Sequence, residues 1–215
     1  MTRPRMSRTD REAQILDLAE TLFAEQGFHN ATMDELCARV GVTKPVIYEY
    51  FGSKDGVLSA VLAKARIGLL EATQTAVAAS TGPEDALRRS LVAFFEYTDL
   101  RRGAWSLMNH ESTLAGGVAA DEVDAVRRQQ ADFTATMMQA YGQPRDKHES
   151  EAFAFVIIGA CDQVARWREN KPDITAEQAG GYVFDVVWGG LRDRISTPAA
   201  LDFATELPTS QARSG

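Results

Sequence analysis

The stretch that begins at Thr32 constrains the fold of this chain most, because it carries the start and stop signals of two short helices in close succession. Thr32 and Glu35 form a capping box, in which two side chains satisfy backbone groups at a helix start. Gly41 favours the left-handed conformation that ends a helix. Thr43, with Pro45 close behind it, predicts the next helix start. The sequence therefore predicts two helices joined by a tight turn.

The second of these helices has two faces of different chemistry. At about 100° per residue, one face carries the anchoring residues Ile47, Tyr50 and Phe51. The displayed face carries Pro45, Tyr48 and Glu49, flanked by Lys44 and Val46. A short helix that displays its first residues in this way fits the major groove of DNA. The pattern predicts a helix-turn-helix element.

At these residues the chain resembles the TetR-type family, the tetracycline-repressor-like transcriptional regulators. The matching segments are Gly41-Val42-Thr43-Lys44, Ile47-Tyr48, Tyr50-Phe51, Ser53-Lys54-Asp55 and Val57-Leu58. The preceding Phe23-Ala24-Glu25-Gln26-Gly27-Phe28 also resembles the end of that family's first helix. The resemblance covers about the first quarter of the chain. It implies a homodimer that binds an inverted-repeat operator in double-stranded DNA.

The resemblance also implies which residues contact DNA. Thr43 and Lys44 correspond to contacts at the helix start, and Tyr48 and Lys54 correspond to phosphate contacts. Pro45, Val46 and Glu49 correspond to positions that face bases. The full predicted DNA-binding set is Thr32, Thr43, Lys44, Pro45, Val46, Tyr48, Glu49, Tyr50 and Lys54.

Base preference does not carry over from the resemblance. Many relatives have glycine and threonine where this chain has Pro45 and Val46, and an aromatic residue or histidine where it has Glu49. A glutamate that faces bases can accept a hydrogen bond from cytosine N4, which is worth about 1 to 3 kcal/mol of discrimination. We therefore hypothesise that Glu49 contributes to base preference.

The charge balance is the strongest objection to DNA binding, because the chain carries a net charge of −7 and typical nucleic-acid binders are basic. The cations nevertheless lie where phosphates would be. Arg3, Arg5, Arg8 and Arg11 precede or open the first helix, and Lys44 and Lys54 flank the displayed helix. We therefore expect a few placed phosphate contacts and a modest dependence of binding on salt.

Motifs for catalysis and cofactor binding are missing from the sequence. It contains no nucleophile motif, Walker loop, dinucleotide fingerprint, HExxH or CxxC, and its three histidines lack metal-ligand spacing. We expect no enzymatic activity, no catalytic residue, no metal site and no cofactor. With no long apolar run and no secretion signal, we expect a cytoplasmic protein without a membrane partner. Cys37 and Cys161 are expected to fill space rather than form a bridge.

Helix signals separated by Gly- and Pro-containing breaks predict an all-α fold of about nine helices. Thr9 and Glu12 form a second capping box, which predicts where the first helix begins. The predicted organisation is a flexible basic arm over 1–8, a three-helix DNA-binding domain over 9–56, a helical effector-binding and dimerisation domain over 57–196, and a flexible tail over 197–215.

Two C-terminal stretches, 152–167 and 180–191, are apolar nearly all round, which indicates burial on more than one side. Their glycines allow helices to approach closely. The predicted dimer interface comprises Val156, Gly159, Ala160, Val183, Val187 and Gly190. The resemblance implies the same pairing, a two-fold dimer joined by a four-helix bundle. The alternative is that both helices fill the core of a monomer.

The resemblance further implies a pocket for a small-molecule effector among the middle helices. Side chains suited to such a pocket are Trp105, Met108, Phe133, Met137, Phe155 and Trp167. Core filling explains any one of them equally well. Asp162 lies in an apolar helix and needs a partner, which Arg166 can supply. This pair is structural unless it opens on a cavity, in which case it would bind the polar part of a ligand.

Together these features predict a sequence-specific regulator, a homodimeric repressor that a ligand releases from DNA. The competing prediction is a dimeric helical small-molecule-binding protein or enzyme whose N-terminal helices do not bind DNA. The displayed Tyr48, Lys44 and Lys54 argue against that alternative, because a docking module has no use for phosphate contacts.

Overall fold

The computed structural model describes residues 6–111, 118–141 and 146–192. In these ranges the regular structure consists of nine helices and no strand, which confirms the all-α prediction. The helices are α1 (Arg8–Gln26), α2 (Met33–Val40), α3 (Lys44–Phe51), α4 (Lys54–Ala78), α5 (Pro83–Leu100), α6 (Arg102–Glu111), α7 (Val118–Tyr141), α8 (Lys147–Arg168) and α9 (Ala176–Leu191). None of them, within the described residues, is long and apolar enough to cross a bilayer.

The first helix begins earlier than its sequence signal predicts. Ser7, rather than Thr9, is the N-cap of α1: its hydroxyl oxygen accepts a hydrogen bond from the backbone N–H of Asp10 at 3.0 Å. The same hydroxyl donates to the Asp10 carboxylate at 2.7 Å. These two hydrogen bonds place the helix start at Ser7 instead of at the predicted Thr9 capping box. As a result, Arg8 is the first residue of α1.

The predicted turn between α2 and α3 is present in detail. The N–H of Glu35 donates to the Thr32 hydroxyl oxygen at 3.2 Å, and the N–H of Thr32 donates to the Glu35 carboxylate at 3.3 Å. Gly41 ends α2 in the left-handed conformation, with φ 77° and ψ 36°. The N–H groups of Gly41 and Val42 both donate to the carbonyl of Cys37, at 2.8 and 3.2 Å. These bonds fix the direction in which α3 leaves the turn.

The chain divides into two compact units. The first contains α1 to α3, α4 as far as Leu70, and residues 96–130; the second contains residues 71–95 and 131–192 of the described chain. The predicted domain boundaries at residues 9, 57 and 197 stay predictions. Residues 1–5 of the predicted arm and the whole predicted tail lie outside the described residues.

In the first unit, α1 packs on α2 and α6, and α2 packs on α3. The largest fully buried side chains of this unit are Ile15, Leu22, Phe23, Leu36, Ile47, Val57, Val61, Leu62 and Leu69, and Ala104 of α6 has no exposed surface. Phe23 and Phe28 meet edge to face with ring centroids 5.3 Å apart. Phe28 lies just past Gly27, which ends α1, so the chain folds back on the helix.

A buried carboxylate joins α1 to the start of α6 within the first unit. Glu20, only 9% exposed, accepts a hydrogen bond from the backbone N–H of Ala104 at 3.2 Å. Arg101 forms an ion pair with the same carboxylate at 2.5 Å and with Asp17 at 3.4 Å. A Cβ at Gly103 would lie 3.2 Å from the Cβ of Ala24. The carboxylate therefore satisfies an unpaired donor of α6 where the two helices are closest.

In the second unit, α8 packs against α9. Ala154 and Ile158 of α8 form a buried cluster with Ala131 and Ala135 of α7. Gly180 of α9 lies so close to α5 that a Cβ there would be 3.0 Å from the backbone nitrogen of Val92. The helix that begins at Ala176 therefore needs a glycine at this position.

Ile47 has no exposed surface, and it is the one fully buried side chain of α3. We expect Ile47→Ala to lower the free energy of unfolding of the first unit by about 2 to 5 kcal/mol, since a large cavity would replace its side chain. Ile47→Val should cost only about 0.5 to 1.5 kcal/mol. Urea titration followed by circular dichroism measures both. Equal stabilities for the two variants would contradict the anchoring role.

Candidate nucleic-acid interface

Helix α3 buries one face and exposes the opposite face within the first unit. Ile47 is completely buried, whereas Tyr48 is 42% exposed. Thr43, Lys44, Pro45 and Glu49 are exposed, and Val46 is half-buried. The side chains that the sequence predicts to face DNA therefore stand together on one surface. Their contacts with DNA stay a prediction.

Lys44 has an anionic neighbour that the sequence analysis does not identify. Its Nζ lies 2.9 Å from Oδ2 of Asp34, in the first turn of α2. Hydrogen bonding to Asp34, followed by the attraction of that charge, raises the pKa of the Lys44 ammonium. Both side chains are exposed, at 45% and 77%, so the pair adds little to stability. A phosphate that reaches Lys44 competes with Asp34.

Lys54, at the start of α4, is fixed by two contacts with the loop after α1. Its Nζ donates a hydrogen bond to the carbonyl of His29 at 3.2 Å and lies 4.5 Å from the ring centroid of Phe28. Ser53 caps α4, because its hydroxyl oxygen accepts a hydrogen bond from the N–H of Gly56 at 2.9 Å. Lys54 is therefore held at the edge of the surface that α3 exposes.

The two predicted threonines differ in what holds their hydroxyls. Thr43 is the N-cap of α3, but across the described chain its hydroxyl makes no capping hydrogen bond to that helix. The Thr32 hydroxyl is engaged, since it donates to the Glu35 carboxylate at 3.0 Å. Hydrogen bonds from Gln26 and then Thr32 lower the pKa of Glu35. Thr32 thus serves the helix start first, whereas the Thr43 hydroxyl can turn towards a phosphate.

Tyr50 and Glu49 both contact Arg8, which the predicted set of binding residues omits. The guanidinium carbon of Arg8 lies 4.9 Å from the Tyr50 ring centroid, and Nη1 lies 3.8 Å from the Glu49 carboxylate. These residues border an open groove of about 1290 Å³ that is also lined by Arg11 and Gln14 of α1. The sequence places a basic residue at position 8, but its proximity to α3 depends on tertiary packing.

The residues predicted to line the effector pocket fall in both units, and the pocket stays a prediction. Trp105 and Met108 are buried in the first unit, while Phe133 and Met137 are half-buried in the second, against Val77, Ala86 and Tyr141. Asp162 and Arg166 are half-buried in α8. Phe155 and Trp167 are 55% and 46% exposed. These two aromatic residues lie on the surface of α8, and their place in a pocket stays a prediction.

The six residues of the predicted dimer interface differ in how much of their surface is exposed. Val156 is 65% exposed, and Gly159 and Gly190 are exposed, whereas Ala160 and Val187 are half-buried. Val183 is only 3% exposed in the single subunit, and its place in the dimer interface stays a prediction. In the described parts of α8 and α9, large exposed apolar side chains that the predicted interface set does not include are Phe155, Trp167, Tyr182 and Val186.

Comparison with known proteins decides the family. The family model described as bacterial regulatory proteins, tetR family, matches residues 15–61, and the model of the tetracyclin repressor-like C-terminal domain matches residues 83–190. This chain belongs to the TetR family. It is a DNA-binding transcriptional regulator with an N-terminal helix-turn-helix domain and a C-terminal helical domain.

Individual relatives of this TetR-family regulator agree with the assignment. The transcriptional activator FasR of Mycolicibacterium smegmatis is 26% identical over 188 residues, which cover 87% of this chain and 85% of FasR. The regulator BetI of Burkholderia mallei is 30% identical over 112 residues, covering 48% of this chain and 57% of BetI. The crystal structure of a TetR-like regulator from Rhodococcus sp. RHA1 matches with a TM-score of 0.69 and 28% sequence identity. The match covers 88% of this chain and 100% of the Rhodococcus chain.

Removing Asp34 should strengthen DNA binding by this TetR-family regulator. In Asp34→Asn, Lys44 does not have to break an ion pair before it contacts a phosphate. The affinity for any duplex should therefore rise by up to about fivefold, because an exposed ion pair contributes at most about 1 kcal/mol. The dependence of log K on log salt should steepen as well. Fluorescence anisotropy at several salt concentrations measures both quantities.

Asp85→Asn is the matched control for this experiment. It changes the net charge equally and removes an ion pair of 2.8 Å with Arg89, but in the first turn of α5. We expect its affinity and salt dependence to equal those of the wild type. If Asp34→Asn also behaves like the wild type, Lys44 does not contact a phosphate.

Proposed function

We propose that this protein is a homodimeric repressor that binds an inverted-repeat operator and leaves it when a small molecule binds. The observation that carries the proposal is α3, whose one fully buried side chain, Ile47, leaves Thr43, Lys44, Pro45, Tyr48 and Glu49 exposed at the surface. Helices of this kind enter the major groove with their first residues nearest the bases. A dimer would place two of them in successive grooves, about 34 Å apart. A regulator of this kind works in the cytoplasm, where the chromosome is.

The exposed apolar face of α8 and α9 supports the dimer. Phe155 and Val156 of α8 are 55% and 65% exposed, and Tyr182 and Val186 of α9 are 49% and 80% exposed. The helices pack side by side, so these residues contribute to one surface. Because large apolar surfaces on soluble proteins mark interaction sites, and identical copies associate with two-fold symmetry, we assign this face to a second copy.

The half-buried residues of the second unit support a small-molecule effector. Phe133 and Met137 pack only partly against their neighbours, and Asp162 and Arg166 supply polar groups in α8. A ligand can release DNA only if it binds the two arrangements of the dimer with different affinities. The effector therefore acts by favouring an arrangement in which the spacing of the two α3 helices no longer matches the operator. No catalytic step is part of this proposal.

Activation is a second candidate, favoured by the relative from Mycolicibacterium smegmatis, which is named a transcriptional activator. Both candidates require the same operator binding and differ in where the operator lies relative to the promoter. Transcription in vitro from a promoter that contains the operator separates them. Less transcript upon addition of the protein means repression, and more transcript means activation.

The proposed function is tested by titrating duplexes from the DNA that flanks the gene. We expect tight, salt-sensitive binding to one duplex and a large loss of affinity in Tyr48→Ala. Tyr48→Phe keeps the ring and removes the hydroxyl, and it should raise Kd by about tenfold or more, because a hydrogen bond to a charged group contributes about 1.5 to 3 kcal/mol. Unfolding of both variants at the wild-type temperature is the control.

A different result would favour the competing class of function. If the wild type is a folded dimer that binds every duplex as weakly as random DNA, and if Tyr48→Ala changes nothing, the N-terminal helices do not read DNA. The protein would then be a helical small-molecule-binding protein or an enzyme.

The dimer is tested by placing a charge on the apolar face. Val186→Glu should yield monomers at concentrations where the wild type is dimeric, because a carboxylate buried without a partner is strongly unfavourable. Ile67→Glu is the matched control, since Ile67 is 51% exposed on α4, away from α8 and α9 in the chain. We expect that control to remain dimeric. Sedimentation equilibrium measures the mass, and a dimeric Val186→Glu would contradict the assignment.

A further inference from the structure

Arg8 contacts two consecutive residues of α3 that point in different directions. Its guanidinium carbon lies 4.9 Å from the ring centroid of Tyr50, and its Nη1 lies 3.8 Å from Oε1 of Glu49. Arg8 is the first residue of α1, 41 positions before Glu49 in the chain. One side chain of α1 therefore touches both the anchoring side and the displayed side of α3.

Stability does not account for this contact. The Arg8 and Glu49 side chains are each 69% exposed, and ion pairs as exposed as this contribute little to folding. The Tyr50 ring is half-buried and lies beside Phe51, with ring centroids 5.8 Å apart. A planar guanidinium over an aromatic ring is attracted to its face. Tyr50 therefore holds Arg8 in place, and Arg8 presents its charge to Glu49.

The position of Glu49 on the displayed face of α3 suggests what its contact with Arg8 does. A carboxylate on a DNA-facing surface is repelled by phosphates, and it can help binding only where it accepts a hydrogen bond from a base such as cytosine. A neighbouring guanidinium offsets the repulsion and restricts the carboxylate to fewer conformations. The remaining donors of the guanidinium stay available, since Arg8 carries five N–H groups.

We propose that Arg8 is a positioning residue for sequence recognition: it neutralises Glu49 and orients its carboxylate towards the base edges, so that the base preference at the Glu49 position depends on a residue that reads no base itself. The inference rests on the proposed function, and it adds a residue outside the helix-turn-helix motif to those that determine specificity. Its consequence is that Arg8 and Glu49 act on one base pair as a unit.

An independent phosphate contact by Arg8 is the alternative, and it has a different signature. Loss of a phosphate contact weakens binding about equally for all sequences and reduces the salt slope by about one. Loss of a positioning residue changes the relative affinities of operators that differ at one base pair. Base preference, rather than affinity, is therefore the quantity to measure.

The experiment uses the full-length protein and a set of operator duplexes that carry every single base change, introduced symmetrically in both half-sites. Relative affinities are measured for the wild type, Arg8→Gln, Glu49→Ala, the double variant and Arg8→Lys. We expect Glu49→Ala to abolish a preference of about fivefold or more at one base pair. Arg8→Gln should weaken the preference at that same base pair, and the double variant should show no further loss.

Arg8→Lys keeps the charge but loses the planar fork and its stacking on Tyr50. It should retain part of the preference, between the wild type and Arg8→Gln. Arg11→Gln is the matched control, because Arg11 lines the same groove but donates its hydrogen bond to Gln14 at 2.8 Å. This control should lower affinity evenly across the duplexes and leave base preference unchanged. Thermal unfolding at the wild-type midpoint verifies that each variant is folded.

Three results would overturn the inference. If Arg8→Gln lowers affinity evenly and keeps the wild-type preference at every position, Arg8 is an independent phosphate contact. Glu49→Ala with unchanged base preference would leave Arg8 nothing to position. Failure of the wild type to prefer any duplex would instead reject the proposed function, and the inference would fall with it.

Discussion

The surface that we propose binds DNA depends on the burial of Ile47. Helix α3 has only eight residues, and isolated helices of that length are not stable in water. Tertiary packing must therefore hold it, and Ile47 is its one completely buried side chain. The left-handed turn at Gly41 sets the direction of α3, and the buried anchor sets its rotation. Together they determine which residues reach the surface, and every contact attributed to Lys44, Tyr48 and Glu49 follows from that geometry.

Among the described residues, three cations around α3 are held in internal contacts. Lys44 meets Asp34, Arg8 meets Glu49, and Lys54 meets the carbonyl of His29. This arrangement reconciles a net charge of −7 with DNA binding. A protein with few uncommitted cations gains little from phosphates alone, so a larger share of its binding energy has to come from fit to a particular sequence.

The caps of α2 and α4, the turn at Gly41 and the two faces of α3 were predictable from the sequence, because each depends on residues a few positions apart. The contacts of Arg8 with Glu49 and of Asp34 with Lys44 were not, since they join separate helices. Along α8 and α9 nearly every position is apolar, so periodicity could not distinguish the buried Val183 from the exposed Val186. The Thr9 cap failed because Ser7 offered a competing one.

The two cysteines make each unit separately observable. Cys37 belongs to the first unit and Cys161 to the second, both are buried and free, and burial raises the pKa of both thiols. Thiol reagents attack the thiolate, so modification of either residue requires that its surroundings open. The rate at which each cysteine is labelled therefore reports the local opening of its own unit. Without any engineered probe, the natural sequence allows the stability of the DNA-binding end and that of the C-terminal helices to be followed independently in one sample.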